Sequence, residues 1–179
     1  SISNCQDGLS RVTLGNFLIK RVVFEIQEEL PNIKNFGTLS PIPGFRDWFV
    51  NLDEKLVKNI LGNIPIENIS FLKSSSLKIG DTRIISNKNA IYKLVAHFLM
   101  YEKNSKQLPI NDVCRFHLGN GAIIDDIVIN ANISEVGFKR SFGVMVNYLY
   151  ELKNIEKNHE EYINKKTTII SNKVKKLIQ

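Results

Sequence analysis

The stretch Pro41-Ile42-Pro43-Gly44 constrains the backbone of this chain more tightly than any other. Each proline ring holds φ near about −65°, and the glycine that follows admits turn conformations closed to other residues. Ser40 therefore stands at the head of a stiff turn. Asn35 to Leu39 reads as a short buried strand that delivers it. Far along the chain, Arg115-Phe116-His117-Leu118-Gly119-Asn120-Gly121-Ala122 puts an imidazole between apolar neighbours. A glycine-containing loop able to offer free backbone N–H groups comes just after it. The two stretches offer a Ser/His pair on rigid supports.

The remaining pattern is that of an α/β chain. Ser1 to Cys5 reads as a strand, and Gln6 to Gly15 as a glycine-containing loop with Thr13 as a candidate N-cap. Leu18, Val22, Ile26 and Leu30 recur every four residues, so Asn16 to Leu30 is a helix stopped by Pro31. The order strand, loop, helix, strand is an α/β unit whose helix N-terminus faces the loop. Phe45 to Val50 and Glu54 to Leu61 read as short helices broken by Gly62 and Pro65. Ala90 to Tyr101 places Ile91, Leu94, Val95, Phe98 and Leu99 on one face of a longer helix. Ser74 to Asp81 is the expected flexible surface segment. Ala122 to Asn130 and Phe142 to Tyr150 suit strands, and Glu156 to Ile163 and Ile170 to Ile178 suit helices.

Composition narrows the function classes. With 179 residues, 43% hydrophobic and 23% charged, the chain has the make-up of one globular domain. No apolar run approaches the roughly 18 residues that span a bilayer, and the N-terminus lacks a secretory signal pattern. No initiator Met precedes Ser1, so a fragment or processed piece is expected. The net charge of +6 would suit a polyphosphorylated ligand such as coenzyme A, or a nucleic acid. The lysines are scattered, however, and lack the aromatic interleaving of a nucleic-acid surface, so no nucleic-acid partner is expected. Cys5 and Cys114 fit neither a disulfide framework nor a metal-ligand spacing and read as reduced thiols. The three histidines and the cysteine spacing argue against zinc, and the Gly8…Gly15 spacing fits no P-loop or dinucleotide fingerprint.

On local grounds a serine before proline commonly only starts a turn, and a histidine among apolar neighbours is commonly a satisfied core residue. His97, beside the apolar face of its helix, and His159, next to Glu160 and Glu161, read as structural.

Longer matches change those odds. The opening SISNCQDGLSRVTLGNFLIKRVV, then TLSPIPGF, RFHLGNGA and GVMVNYLYELKNIEKNHEEY, closely resemble the malonyl-CoA decarboxylase family in order and nearly in spacing. The similarity covers essentially the whole chain, with a divergent middle from about Asn51 to Lys106. It implies a single domain over residues 1–179, the C-terminal part of an acetyltransferase-like (GNAT-like) catalytic domain. That fold is a mixed sheet flanked by helices, here with a helical insertion in the middle. The family's N-terminal helical domain would be absent from this chain. Carried over by position, the resemblance implies Ser40 as catalytic proton acceptor and His117 as proton donor. Ser10, Arg11, Val12, Thr13, Leu14, Gly15 and Asn16 match the loop that contacts the acyl-CoA. The chain departs from the family at Arg11, where glycine is common, and at Val128, Ile129 and Asn132 after the histidine loop.

The resemblance implies a lyase that converts malonyl-CoA to acetyl-CoA and CO₂, with no metal or organic cofactor because the thioester is itself the electron sink. Ser40 would hydrogen-bond the malonyl carboxylate, and His117 would protonate the carbanion. An apolar surround from Phe116, Leu118 and Phe45 would desolvate the carboxylate. No membrane partner is expected, and a homo-oligomer is plausible from the family's habit. The expected location is cytoplasmic, or mitochondrial or organellar in a eukaryote, and not secreted. Two alternatives are an acyl-CoA hydrolase or acyltransferase on the same fold and a non-catalytic acyl-CoA-binding fragment. The first is weakened by the lack of a GxSxG elbow.

Overall fold

The computed structural model describes Leu14–Gln179, with side chains from Arg21 onward. The expected strand at Ser1 to Cys5, the loop as far as Thr13 and the Cys5 thiol lie outside the described residues. Two compact units form, one ending at Phe36 and the other running Gly37–Gln179. In the first, helix α1 spans Leu14–Glu29, so Leu14 and Gly15 belong to a helix rather than to the loop expected there. Leu30 is the last residue before Pro31, as the apolar spacing implies.

The second unit is helical through its middle and carries a small sheet. Strand β1 (Phe36–Pro41) leads into α2 (Phe45–Val50) and α3 (Glu54–Leu61). After these come α4 (Glu67–Ser70), a 3-10 turn at Phe71–Lys73, α5 (Thr82–Ser86) and α6 (Lys88–Met100). Gly62 and Pro65 end the α3 region, as expected. Asp53 caps α3 by accepting from the amides of Lys55 and Leu56. All five residues expected on the apolar face of α6 are buried, each worth about 2 kcal/mol in transfer free energy. Ser74 to Asp81 runs through turns, mostly exposed, and tucks Leu77 into the core.

Helix α7 (Asp112–Gly119), strand β2 (Ile123–Val128), helix α8 (Glu135–Ser141) and strand β3 (Met145–Tyr150) follow, and α9 (Ile155–Lys165) and α10 (Asn172–Ile178) come last. The sheet order is β1-β3-β2, with β2 and β3 antiparallel. Their register shifts between Ile124 and Asp126, leaving Asp125 as an extra residue. That bulge resets the parity of β2, so Ile124 and Ile127, three apart, both turn inward opposite Tyr148 and Val146. The outer edge of β2 is covered by the segment before α10. There Ile124 donates its amide to the Ile169 carbonyl at 3.0 Å, and Ser171 donates to the Ile124 carbonyl at 2.9 Å.

Three expectations from the sequence are corrected. The strand read as buried at Asn35 to Leu39 turns Leu39 outward and buries only Ser40. The strand read from Phe142 begins only at Met145, because Phe142 closes α8 in the left-handed region at φ 55°. Helices α7 and α8 are also absent from the sequence reading, although Asn111 and Ser134 cap them in the ordinary way.

Gly121 follows α7 at φ 80°, and a Cβ there would meet the Ile155 carbonyl oxygen at 2.1 Å. Gly44, in the serine turn, has φ 82°, and a Cβ there would find nothing within 4 Å. Chemical denaturation should therefore separate them. Gly121→Ala is expected to cost at least about 3 kcal/mol, and Gly44→Ala only about 1–2 kcal/mol of backbone strain. Equal costs would contradict the packing of α9 against the loop after α7.

Candidate active site

Alternation along β1 turns Thr38 and Ser40 to the same side of the strand, and Ser40 is buried at 7% exposure. The proline turn then carries the chain away, so the hydroxyl sits where the strand stops. Its Oγ lies 2.9 Å from His117 Nε2 and 3.2 Å from Thr38 Oγ1. His117 stands in the last turn of α7, 6% exposed. Alternation along β3 buries Val146, Tyr148 and Tyr150 on one face, and this brings two phenols to the imidazole. The Tyr150 Oη is 2.7 Å from His117 Nδ1. The Tyr148 ring stacks on the imidazole at 4.3 Å between centroids and 19° between planes. Phe116 meets it edge-on at 5.2 Å.

Every polar atom of the imidazole thus has a hydroxyl partner. A neutral imidazole needs one donor and one acceptor, and hydroxyls can serve as either. Neither partner is a carboxylate. Burial pushes the His117 pKa from 6.5 down to about 4, so the ring is neutral near pH 7. The helix C-terminus favours the charged form by at most about 2 kcal/mol, and burial prevails. Burial also raises the Tyr150 pKa well above its ordinary value, which keeps the phenol protonated. Tyr148 is raised likewise, first by burial and then by the neighbouring Cys114.

Other expected features fall differently. The backbone N–H groups after His117 are not free. Asn120 donates to the Phe116 and His117 carbonyls, Gly121 to Leu118 and Ala122 to His117, so the loop is used in closing α7. Phe45 lies in an aromatic core with Trp48, Phe98 and Phe142, and the ring laid on the imidazole is that of Tyr148. Leu118 is buried. His159 Nδ1 donates to the Gly119 carbonyl at 2.6 Å, and Asn158 Nδ2 donates to the Gly121 carbonyl at 3.2 Å, so both brace the end of the histidine helix. His97 stacks on Trp48 with Glu102 at 3.5 Å, and burial lowers its pKa. Burial pushes the Cys114 thiol up to about 12, so it is an inert packing group. Among the described residues no cluster of three potential metal ligands occurs, and no helix is long and apolar enough to cross a membrane.

The family model for the malonyl-CoA decarboxylase C-terminal domain matches residues 1–179. The chain belongs to the malonyl-CoA decarboxylase family. It is 34% identical over 196 residues to the mitochondrial malonyl-CoA decarboxylase of Mus musculus, covering 99% of this chain and 40% of that protein. The Anser anser anser mitochondrial enzyme is 32% identical over 183 residues, covering 93% of this chain and 36% of its own length. The crystal structure of malonyl-CoA decarboxylase from Rhodopseudomonas palustris superposes with a TM-score of 0.85 at 37% identity, covering 100% of this chain and 41% of that one. The Cupriavidus metallidurans structure gives 0.81 at 36% identity, covering 99% and 47%. The chain therefore spans less than half the length of these relatives.

Within this family member, the carried-over positions are distributed unevenly. Ser10, Arg11, Val12 and Thr13 lie outside the described residues, while Leu14, Gly15 and Asn16 open α1. Val128 ends β2. Asn132 accepts from the amide and hydroxyl of Ser134 and packs against Gly137, where an added Cβ would fall 2.3 Å from its Cγ. Sequence reasoning does not single out Tyr148 and Tyr150. A signal is present in the alternation of GVMVNYLY, which puts both tyrosines on the buried face.

The depressed His117 pKa ties stability to pH. Between pH 6.5 and 4 the unfolded chain binds the extra proton, so stability rises with pH across that window. The contribution is complete above 6.5 and gone by about 4. It amounts to about 3 kcal/mol. Urea unfolding from pH 4 to 7 should show this rise in the native protein, and His117→Gln should flatten most of it. An unchanged slope in His117→Gln would remove His117 as its source.

Proposed function

We propose that this chain carries the catalytic pair of a protein that decarboxylates malonyl-CoA to acetyl-CoA and CO₂. The observation that carries the reading is the Ser40–His117–Tyr150 chain, 2.9 and 2.7 Å between its atoms, on a buried imidazole. Family membership supports the choice of substrate. Decarboxylation consumes one proton: the malonyl carboxylate leaves as CO₂, its bonding electrons become the thioester enolate, and a proton must reach the carbanion carbon. The group required is an acid that becomes charged only when the substrate anion arrives. A malonyl carboxylate beside His117 opposes the burial effect and favours imidazolium. The Ser40 hydroxyl hydrogen-bonds that carboxylate. When CO₂ departs, the Ser40 hydroxyl gives its proton to the carbanion carbon and accepts one from His117 Nε2 across their 2.9 Å contact, so the imidazole returns to its neutral form. Thr38 Oγ1 and the Tyr150 hydroxyl orient the two partners. The thioester delocalises the electron pair, so the reading calls for no metal or organic cofactor.

The same dyad is poorly arranged for acyl transfer. A serine nucleophile needs a base that becomes imidazolium as it attacks, and a buried carboxylate behind the ring ordinarily stabilises that charge. Here the group behind the ring is a phenol that burial keeps protonated.

Incubating the full-length protein with carboxyl-labelled malonyl-CoA should release labelled CO₂ and leave acetyl-CoA. His117→Ala and Ser40→Ala are each expected to slow release by about 10² or more. Free coenzyme A thiol without labelled CO₂ would instead establish a hydrolase. Undiminished turnover in both folded variants would remove the dyad from the chemistry.

A further inference from the structure

The serine and the histidine come from segments about 77 residues apart, yet their atoms must hold to a few tenths of an ångström. One side chain outside the pair joins both supports. Asn111 is 3% exposed and forms the N-cap of α7. Its Oδ1 accepts from the Cys114 amide at 2.8 Å, which satisfies the first turn of the histidine helix. Its Nδ2 donates to the Pro43 carbonyl at 2.9 Å, in the turn that follows Ser40. Capping alone does not require this. Serine and aspartate cap as well as asparagine does, but neither pairs a carbonyl acceptor with a carboxamide donor long enough to reach a second backbone. The acceptor it reaches belongs to a stiff turn, where two proline rings restrict φ and Ile42 between them is fully buried. Fixing the Pro43 carbonyl therefore fixes the turn as a body, Ser40 included. On the other side, α7 is a short, unbroken helix of eight residues, so its first turn sets the place of His117 in its last.

We infer that Asn111 is a positioning residue that sets the separation of Ser40 and His117 by clamping the serine turn to the histidine helix. The inference rests on the dyad proposed above. It assigns no contact between Asn111 and substrate, so the residue acts through the other two.

The test uses the full-length protein with Asn111→Ser, which keeps a capping oxygen but cannot reach Pro43, and Asn111→Ala, which loses both arms. For Asn111→Ser the expected result is a fall in kcat of about tenfold or more with KM changed less than about twofold. Its unfolding midpoint should drop less than that of Asn111→Ala, which loses the cap as well. The ¹⁵N resonances of the His117 ring should also move in Asn111→Ser, a readout that needs no turnover. If malonyl-CoA proves not to be a substrate, those resonances still decide the clamp. An Asn111→Ser protein with native kcat, or with native ring resonances where no turnover is found, would overturn the inference. Should Asn111→Ser fail to fold, hydrogen exchange of the Asn111 carboxamide in the native protein decides it. Slow exchange supports the clamp, and exchange at the rate of an exposed amide overturns it.

Discussion

An imidazole buried without a charge beside it is the constraint on which the site depends. Taking His117 out of water disfavours its protonated form and pushes its pKa down to about 4. It also leaves two ring nitrogens that must each find a partner. Both partners are hydroxyls, Ser40 on Nε2 and Tyr150 on Nδ1, and the Tyr148 ring covers one face. Much of the second unit can be read as what holds these groups in place. The proline turn ends β1 one residue past Ser40, and the bulge at Asp125 lets β2 pack its isoleucines opposite Val146 and Tyr148. Asn158 and His159 of α9 brace the carbonyls that follow His117.

The neutrality of the group behind the imidazole separates two chemistries that a Ser/His pair could serve. A carboxylate there would hold the neutral ring as a base and stabilise the imidazolium that forms as serine attacks. A phenol held protonated by burial does not. On the proposed function, the ring takes a proton only when an anion enters, which would couple acid formation to arrival of a carboxylated substrate. An acid made ready by its own substrate suits a reaction whose product needs one proton more than its reactant.

The supports are more legible in the sequence than the site they hold. Pro41-Ile42-Pro43-Gly44 announces a rigid turn, and the four-residue spacing before Pro31 announces α1. The apolar face of α6 is legible residue for residue, because burial of a helix face imposes a period that survives any tertiary context. The short helices α7 and α8 escape. Each contains a glycine, Gly119 or Gly137, that reads as loop, and their caps, Asn111 and Ser134, are also common loop residues. For the same reason the N–H groups after His117 look free in the sequence, when the end of α7 consumes them. Tyr148 and Tyr150 are visible there only as strand residues. Their approach to His117 comes from pairing across the sheet and from the placement of α7, neither of which has a local signature. The Asn111 contact to Pro43 spans 68 residues and has none either.

The central claim is that His117 rests as a neutral imidazole between two hydroxyls. Selective ¹⁵N labelling of histidine, with the His117 ring resonances followed by NMR from pH 3.5 to 8, measures this directly. One protonated and one unprotonated nitrogen at pH 7, with a midpoint near 4, is the predicted result. Two protonated nitrogens at pH 7, or a midpoint at or above 6.5, would contradict it.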